Sequence, residues 1–176
     1  ARGFDGPDQK GVKWEPRLKA WTAPFVMASI NTRVVRRSNA LLEHAYGEAF
    51  RYSEQMSFPG TAGGLALAGG VAAAVAGVVV ASQVPALRKR LEAKMPKPGE
   101  GPTAAEREAG YFVVRLFAEG EGGMPRLLGK VEDRFDPGYG STARMLSEAA
   151  LCLAQDPLDG PGGVLTPASA MGQRLI

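Results

Sequence analysis

Cysteine and histidine are scarce in this chain of 176 residues, which has one of each, Cys152 and His44. A single cysteine cannot form a disulfide within the chain, so nothing indicates an oxidising compartment. One cysteine and one histidine are also too few for a structural zinc site, and we predict no metal. Cys152 stands among apolar neighbours, which favours a buried small hydrophobe over a nucleophile. We expect His44 on a helix surface or in a local hydrogen bond.

Glycine-rich phosphate loops are missing as well, although the chain has 23 glycines. No G-x-G-x-x-G occurs, so the sequence has no dinucleotide fingerprint. Gly64 and Gly69 have the spacing of a Walker A motif, but Gly70 and Val71 stand where lysine and serine or threonine are required. Without that lysine nothing meets the phosphate charge, which excludes a nucleotide loop here.

Positive charge is only slightly in excess, because 21 basic and 18 acidic residues give a net charge of +3. The basic residues form two clusters, at 33–37 and 88–90, without interleaved aromatic side chains. This pattern does not favour nucleic-acid binding, and we predict no nucleic-acid partner. The chain begins at Ala1 without the pattern of a signal peptide. We therefore expect it to be processed or to be part of a longer protein.

The first half of the chain predicts an arm, a strand and a helix. Residues 1–24 are rich in glycine and proline, which predicts a connecting arm that packs through its tryptophans. The apolar run 25–30 predicts a short strand, and Asn31 or Thr32 is expected to cap the following helix. Alternation over 50–58 predicts a second strand.

The second half predicts a β-hairpin between two short helices. Thr103 and Glu106 have the spacing of a capping box, and residues 110–120 and 125–135 are strand-like. Ser141 is expected to cap a helix that presents Leu146, Ala149, Ala150 and Leu153 on one face. Residues 160–172 predict a turn, a short strand and a closing helix that begins at Thr166 and Pro167. The predicted fold class is α+β: a small mixed or antiparallel sheet, packed helices and an apolar helical insert.

The apolar insert, which we place at residues 60–94, is the most unusual feature of the sequence. Residues 62–81 contain no charged, hydroxyl or amide side chain, and a helix of that length matches the hydrocarbon thickness of a bilayer. Small residues recur at every fourth position, a spacing that lets helices approach closely in lipid. We expect helix packing through this stripe, which consists of Gly69, Ala73, Gly77 and Ala81.

The bulkier side chains of the insert, together with the basic residues that follow Pro85, predict contact with a membrane. The expected membrane-contacting residues are Leu67, Val71, Val75, Val78, Val79, Leu87, Arg88, Lys89, Arg90 and Leu91. A single span would place the predicted strands on opposite sides of the bilayer, so we favour a hairpin-like or monotopic insert. A helix buried in protein or at an oligomer interface and a true span remain open.

Several motifs resemble a known family in their order and spacing. These motifs are PFVMASINTRVVRRSNALL, YGEAFRYSEQM, PKPGEGPTAAERE, DPGYGSTARMLSEAALCLA and GGVLTPASAMG. They look most like the saccharopine dehydrogenase-like oxidoreductases, in the group of trans-acting enoyl reductases. The resemblance covers the chain from Pro24 to Met171 and corresponds to the carboxyl-terminal half of that family, so residues 25–176 are expected to form its carboxyl-terminal domain.

The resemblance implies a substrate-side, membrane-associated and intracellular half of an oxidoreductase that uses NAD(P)H on lipid-like or polyketide-type substrates. Full-length relatives would carry a Rossmann domain for the cofactor, which is absent from this chain. We therefore expect no cofactor on this fragment, and no activity from it alone. The expected partners are membrane lipid, the missing cofactor-binding domain, and a second copy or a larger membrane complex.

Two groups of polar residues are candidates for the site. A polar wall at the start of the first helix would face the cleft between domains, and it consists of Asn31, Thr32, Arg33, Arg36 and Arg37. Tyr139 is a weaker candidate as a proton donor. A helix whose arginines face water, and a tyrosine that packs in a turn, are the simpler interpretations. A different function also stays open: a non-catalytic membrane-bound accessory or assembly subunit built on the same fold.

Overall fold

The computed structural model describes residues 7–97, 99–120, 126–158 and 160–176. They form two compact units: Ala1–Met95 with Gly160–Ala170, and Pro96–Asp159 with Met171–Ile176. Both units combine helices with a small antiparallel sheet, which confirms the α+β fold class. That residues 25–176 are the carboxyl-terminal domain of a reductase remains a prediction.

The first unit contains a three-stranded antiparallel sheet in the order β1 (Lys13–Glu15), β2 (Ala20–Pro24) and β3 (Gln55–Pro59). Trp14 and Trp21 are partners in the register of β1 and β2, and their rings meet edge to face with centroids 5.1 Å apart. The predicted connecting arm therefore carries two strands where it is described. Its packing through the two tryptophans is observed, while residues 1–6 lie outside the described part.

Helix α1 (Ala28–Leu41) connects β2 to β3 and begins earlier than predicted. Residues 25–30 form a turn and the first helical turn, so the strand predicted there is wrong. Pro24 ends β2, and a short apolar run is equally compatible with a buried strand or the start of a helix. Neither Asn31 nor Thr32 caps α1, because both lie inside it.

Helix α2 (Ala62–Gln83) follows β3 after two residues and packs against β2 and β3 with its first turns. The Thr61 hydroxyl accepts a hydrogen bond from the Gly64 amide at 3.1 Å and so caps the helix. Gly64 and Ala68, one turn apart, are its buried residues. A Cβ on Gly64 would lie only 1.8 Å from the carbonyl oxygen of Pro59. Glycine is therefore required where the helix meets the strand.

Helix α3 (Pro85–Glu92) follows α2 directly, with extended backbone at Val84 between them and proline at its first position. Within the same unit, residues 160–170 return to α1 through the short helix α6 (Pro167–Ala170), the sixth of the chain. Pro167 opens this helix as predicted. The strand predicted just before it is not formed among the described residues 160–166.

The second unit contains α4 (Ala104–Ala109), the antiparallel hairpin of β4 (Phe112–Ala118) and β5 (Leu127–Asp133), α5 (Gly140–Gln155), and a final 3-10 turn, Gly172–Leu175. The capping box of Thr103 and Glu106 is present, as predicted. The hairpin is confirmed, while its connection at residues 121–125 lies outside the described part.

Helix α5 differs from its prediction at its start and along its length. It begins at Gly140, and the Asp136 carboxylate accepts the amide hydrogen bonds of Tyr139 and Gly140 at 2.6 and 3.4 Å. Ser141 is therefore not its cap; its hydroxyl donates to Asp133 at 2.7 Å. The predicted apolar face does not form a core in this unit, because Leu146 and Leu153 are 69% and 58% exposed.

Candidate functional site

The polar face of α1 holds a hydrogen-bonded cluster that joins the helix to the residues just before β3. The Glu54 carboxylate accepts from the Asn31 side-chain amide and from the Tyr52 hydroxyl, both at 2.9 Å. Arg36 donates to the Tyr52 carbonyl oxygen at 3.1 Å. All four side chains are half-buried. We call Asn31, Arg36, Tyr52 and Glu54 the α1 polar cluster.

Tyr52 is held as a neutral phenol in this cluster. Burial raises its pKa to about 12, and the hydrogen bond to the Glu54 carboxylate and the negative charge of that group act in the same direction. A phenol with such a pKa donates a hydrogen bond and does not act as a base near neutral pH. Glu54 has both carboxylate oxygens occupied by these contacts. The cluster is therefore built for hydrogen bonding rather than for proton abstraction.

The remaining members of the predicted polar wall lie outside this cluster. Arg33 is exposed, and Arg37 donates to the carbonyl oxygen of Val164 at 2.7 Å. Thr32 is 1% exposed, and its hydroxyl donates to the Ala28 carbonyl at 2.6 Å. Thr32 is thus buried, with its hydroxyl bonded within α1, and is not part of an exposed polar wall in this unit. Glu54 was missing from the predicted wall because 23 residues separate it from Asn31.

Tyr139 and Cys152 lie in the second unit. Tyr139 is 57% exposed at the start of α5, so its phenol is open to solvent. Cys152 is 6% exposed, which confirms the predicted buried hydrophobe. Burial, with a hydrogen bond to Asp156, raises the pKa of its thiol above the ordinary value. A buried thiol with a raised pKa is a poor nucleophile.

His44 lies in the turn after α1 rather than on a helix surface. Glu43 and His44 both have left-handed backbone, with φ of 53° and 64°. The buried Asn39 side chain stabilises this turn by accepting from the Tyr46 amide at 2.9 Å and donating to the Gly47 carbonyl at 3.0 Å. The backbone amide of His44 donates to the Asn39 carbonyl oxygen at 2.8 Å, whereas Nδ1 of its imidazole is buried without a hydrogen-bond partner among the described residues, so the local hydrogen bond predicted for this side chain is not seen at Nδ1.

A shallow groove of about 540 Å³, which the sequence did not indicate, lies beside the first residues of the hairpin. Three of its carboxylates come from α4 and β5, namely Glu108, Glu132 and Asp133. The Asp133 carboxylate is already occupied, since Ser141 donates to it at 2.7 Å and Arg144 lies 3.2 Å from it. Arg134 also lines the groove, which therefore offers a solvated wall of mixed charge rather than an enclosed site.

The apolar residues of α2 differ in how far they are exposed. Val71 and Val75 are half-buried and continue the line of Gly64 and Ala68, which faces the sheet. Leu67, Val78 and Val79 are 60%, 50% and 57% exposed. The predicted packing stripe from Gly69 to Ala81 lies away from the sheet, and a Cβ on Gly69 or Gly77 would meet nothing within 4 Å. By length and composition, α2 could cross a membrane.

Helix α3 presents its charges to solvent. Arg88, Lys89 and Arg90 are all exposed, and Arg88 pairs with Glu92 at 2.7 Å. Leu87 is 40% exposed and lies one turn before the half-buried Leu91. Basic side chains therefore flank a small apolar face directly after the long apolar helix.

The start of α2 does not fit the pyrophosphate of a nicotinamide dinucleotide. Such a group is commonly held by free amides at a glycine-rich helix start or by arginines. At the start of α2 the Gly64 amide is taken by the Thr61 hydroxyl, and Gly64 itself is needed for contact with Pro59. Arg36 and Arg37 already donate to backbone carbonyls. We therefore assign no cofactor contact to these residues.

The chain is similar over most of its length to proteins named trans-acting enoyl reductase. A protein of Mycobacterium tuberculosis that carries this name provisionally is 44% identical over 182 residues, which cover 98% of this chain and 42% of that protein. A trans-acting enoyl reductase of Mycobacterium ulcerans is 41% identical over 96% of this chain and 41% of its own length. The corresponding protein of Mycobacterium bovis is 40% identical over 89% of this chain and 38% of its own length.

The chain thus spans about two fifths of the length of these relatives. No protein-family model matches it. No solved structure matches it either.

Proposed function

We propose that this chain is the substrate-side, membrane-associated portion of a reductase that uses NAD(P)H on lipid-like or polyketide-type enoyl or carbonyl substrates. The observation that carries the proposal is the 40–44% identity, across most of the chain, to proteins named trans-acting enoyl reductase. Assignment to the carboxyl-terminal half of the saccharopine dehydrogenase-like family belongs to the same proposal, and it rests on the motifs that span Pro24 to Met171.

The described residues also indicate which portion of the protein would bind the cofactor and which would contact the substrate. The described residues offer no free phosphate-binding loop, so the cofactor would be held by the portion of the relatives that lies outside the match. Hydride chemistry belongs to the nicotinamide, and the protein positions the substrate against it. The α1 polar cluster is a half-buried, hydrogen-bonded set of polar side chains in the first unit. It would provide hydrogen-bond donors at the edge of the substrate path, with Arg33 free to meet an anionic group.

Helix α2 supports the membrane part of the proposal. Its valines at 78–80 are 50–58% exposed, and the described residues of this unit leave them uncovered. Exposed apolar surface of this extent marks an interaction site in a soluble protein or contact with lipid. Attachment to a membrane would place the reductase where lipid-like substrates are dissolved.

A titration with the cofactor tests the reductase part. The native polypeptide, purified from its source, is expected to bind NADPH or NADH with fluorescence enhancement and to consume it when an enoyl thioester is added. The matched variant is Asn31→Ala, which removes one donor from the α1 polar cluster, and the control is Ser29→Ala on the exposed side of α1. We expect a raised KM for the thioester only in the first variant.

Failure of the native polypeptide to bind either nucleotide would overturn the reductase proposal. Binding to membranes without any nucleotide binding would instead favour a non-catalytic membrane-bound accessory subunit. That alternative is favoured by one observation: every polar side chain of the α1 polar cluster is already engaged within the protein.

A further inference from the structure

We propose that α2 lies in the plane of the membrane interface, and that α3 binds the headgroups of anionic phospholipids beside it. This inference rests on the membrane attachment proposed above and specifies how it is made. It follows from three features of the first unit: the contact of α2 with the sheet, the length of α2, and the charges that follow it.

The first feature is that the beginning of α2 is fixed to protein. Gly64 and Ala68 are buried against the sheet, and the helix contacts β2 and β3. At Gly64 the approach to the Pro59 carbonyl leaves no room even for a methyl group. The first two turns of α2 therefore cannot leave the sheet without exposing Gly64 and Ala68 and breaking their packing on it.

The second feature is the length of the helix. Its 22 residues span about 33 Å at 1.5 Å per residue, just enough to cross a hydrocarbon core of about 30 Å. A crossing would need the whole helix, including the turns that pack on the sheet. The strands would then enter the hydrocarbon, where unpaired backbone groups at sheet edges are not tolerated. A transmembrane arrangement thus conflicts with the observed packing.

The third feature is the position of the basic residues. Arg88, Lys89 and Arg90 follow the apolar helix within seven residues of its end, and Lys94 comes shortly after. If the end of α2 dipped steeply into one leaflet, these side chains would be carried towards the hydrocarbon, which is unfavourable for charged groups. If α2 lies flat, α3 stays at headgroup level, where its cations meet lipid phosphates.

The exposed surfaces agree with the flat arrangement. The side of α2 away from the sheet is apolar along its length, from Ala66 through Ala73 to Val80. An isolated helix of this composition has no polar face that could stay in water while the other face contacts lipid. In this unit the sheet covers the side of α2 that would otherwise need to be polar. On α3, Leu87 would dip between the acyl chains while Lys89 and Arg90 reach the headgroups, as in other interfacial helices.

The charges identify the lipid class. Four basic residues and one acidic residue lie between Arg88 and Lys94, and Glu92 is paired with Arg88. This excess of positive charge has no carboxylate partner among the described contacts other than Glu92. Anionic headgroups attract each such cation, and loss of three of them is expected to weaken binding on the order of 100-fold.

Vesicle flotation tests the lipid class. The full chain is mixed with vesicles of phosphatidylcholine alone or of phosphatidylcholine with phosphatidylglycerol. We expect strong flotation only with the anionic vesicles, and about a 100-fold loss in the combined variant Lys89→Gln, Arg90→Gln, Lys94→Gln. The matched control neutralises three exposed basic residues of the same unit, Lys10→Gln, Lys13→Gln and Arg51→Gln, and is expected to lose much less.

Spin-label depth measurements test the orientation. With Cys152 replaced by alanine, single cysteines are placed at Ala66, Ala73 and Val80, which are seven residues apart and share the side of α2 away from the sheet. In the flat arrangement the three labels lie at similar depths, within about 10 Å of the headgroups. In a crossing helix the label at Ala73 lies about 10 Å deeper than the other two.

Each outcome has a distinct meaning. Equal flotation with both kinds of vesicle would overturn the anionic lipid class. A maximum of depth at Ala73 would overturn the flat orientation. Absence of flotation with either vesicle would overturn the membrane attachment itself, whereas the reductase proposal is judged separately by nucleotide binding and thioester reduction. Circular dichroism of each variant, unchanged from the parent, establishes that folding is retained.

Discussion

The hydroxyl oxygens of Ser38 and Thr166 lie 2.7 Å apart, although 128 residues separate them along the chain. Both residues are buried, at 3% and 5% exposure. The Ser38 hydroxyl also bonds to the Val34 carbonyl at 2.9 Å, and the Thr166 hydroxyl lies 2.9 Å from that of Ser169. With Arg37 bound to the Val164 carbonyl, this contact attaches residues 160–170 to α1 and makes them part of the first unit.

Replacement of Thr166 by valine tests this attachment. The change keeps the shape of the side chain but removes the hydroxyl that bonds to Ser38, and the expected loss is about 1–3 kcal/mol in the free energy of unfolding. Denaturant unfolding of Thr166→Val, Ser38→Ala and the double variant measures it. A double variant whose loss equals the sum of the single losses would contradict a direct contact, because interacting residues are not additive.

Glycines on the two sides of α2 are expected to respond in opposite directions. Gly64→Ala would place a Cβ 1.8 Å from the Pro59 carbonyl oxygen, and we expect it to destabilise the protein by about 3 kcal/mol or more. Gly70→Ala meets nothing within 4 Å and gains helix propensity, so its expected effect is neutral to about 1 kcal/mol stabilising. The melting temperatures of both variants, measured by thermal unfolding, test this prediction. Equal effects would show that α2 does not pack on the sheet at Gly64.

The ionisation of Tyr52 is expected to be detectable by absorbance when the protein is titrated to alkaline pH. Its pKa of about 12 predicts a component of the phenolate absorbance with that midpoint. The component should be missing in Tyr52→Phe and move to lower pH in Glu54→Gln, whereas Tyr111→Phe, at an exposed tyrosine, should keep it. Since the pKa is raised in the folded state, the associated stability is complete below about pH 10 and is lost as the pH rises towards 12. A titration without this component would contradict the buried contact with Glu54.

Asp136 should make the start of α5 sensitive to acid. The amide of Tyr139 donates to its carboxylate and holds the pKa below the ordinary 3.8, with further contributions from Gly138 and Gly140. Because the pKa is lowered in the folded state, the contribution to stability is present above the ordinary value and is lost as the pH falls through the folded value. Asp136→Asn should therefore show a weaker dependence of unfolding on pH between about 5 and 2. An unchanged dependence would argue against this cap.

The sequence predicts those parts of the fold that local chemistry determines. The capping box at Thr103 and Glu106, the antiparallel hairpin, and the apolar helix at 62–81 each depend on residues close together in the chain, and all three are present. The start of α1 was missed because a short, mostly apolar run such as residues 25–30 does not distinguish a strand from a first helical turn. The cap of α5 was missed because the carboxylate that accepts from its first amides belongs to Asp136, which lies four residues before Gly140, the first residue of the helix.

The candidate site was predicted only in part, and the reason is tertiary structure. Asn31 and Arg36 were found as polar residues of one helix, but their partners Glu54 and Tyr52 come from a segment that only the folded chain brings near. Thr32 is a residue type that is common in binding sites, but it is buried. Whether a side chain on a helix is exposed depends on what covers that face of the helix. The sheet likewise determines which side of α2 is exposed. The sequence of the helix could not show this, because the helix is apolar on every side.

The mass of the native polypeptide in its source tests the central claim most directly. An antibody raised against residues 103–118 would detect the protein in a cell extract, and mass spectrometry of the captured chain would give its length. If this chain is the substrate-side portion of a reductase, the mass should exceed twice 18.5 kDa, because the chain spans 42% of its M. tuberculosis relative. A mass of 18.5 kDa, with no nucleotide-binding polypeptide captured alongside it, would contradict the claim.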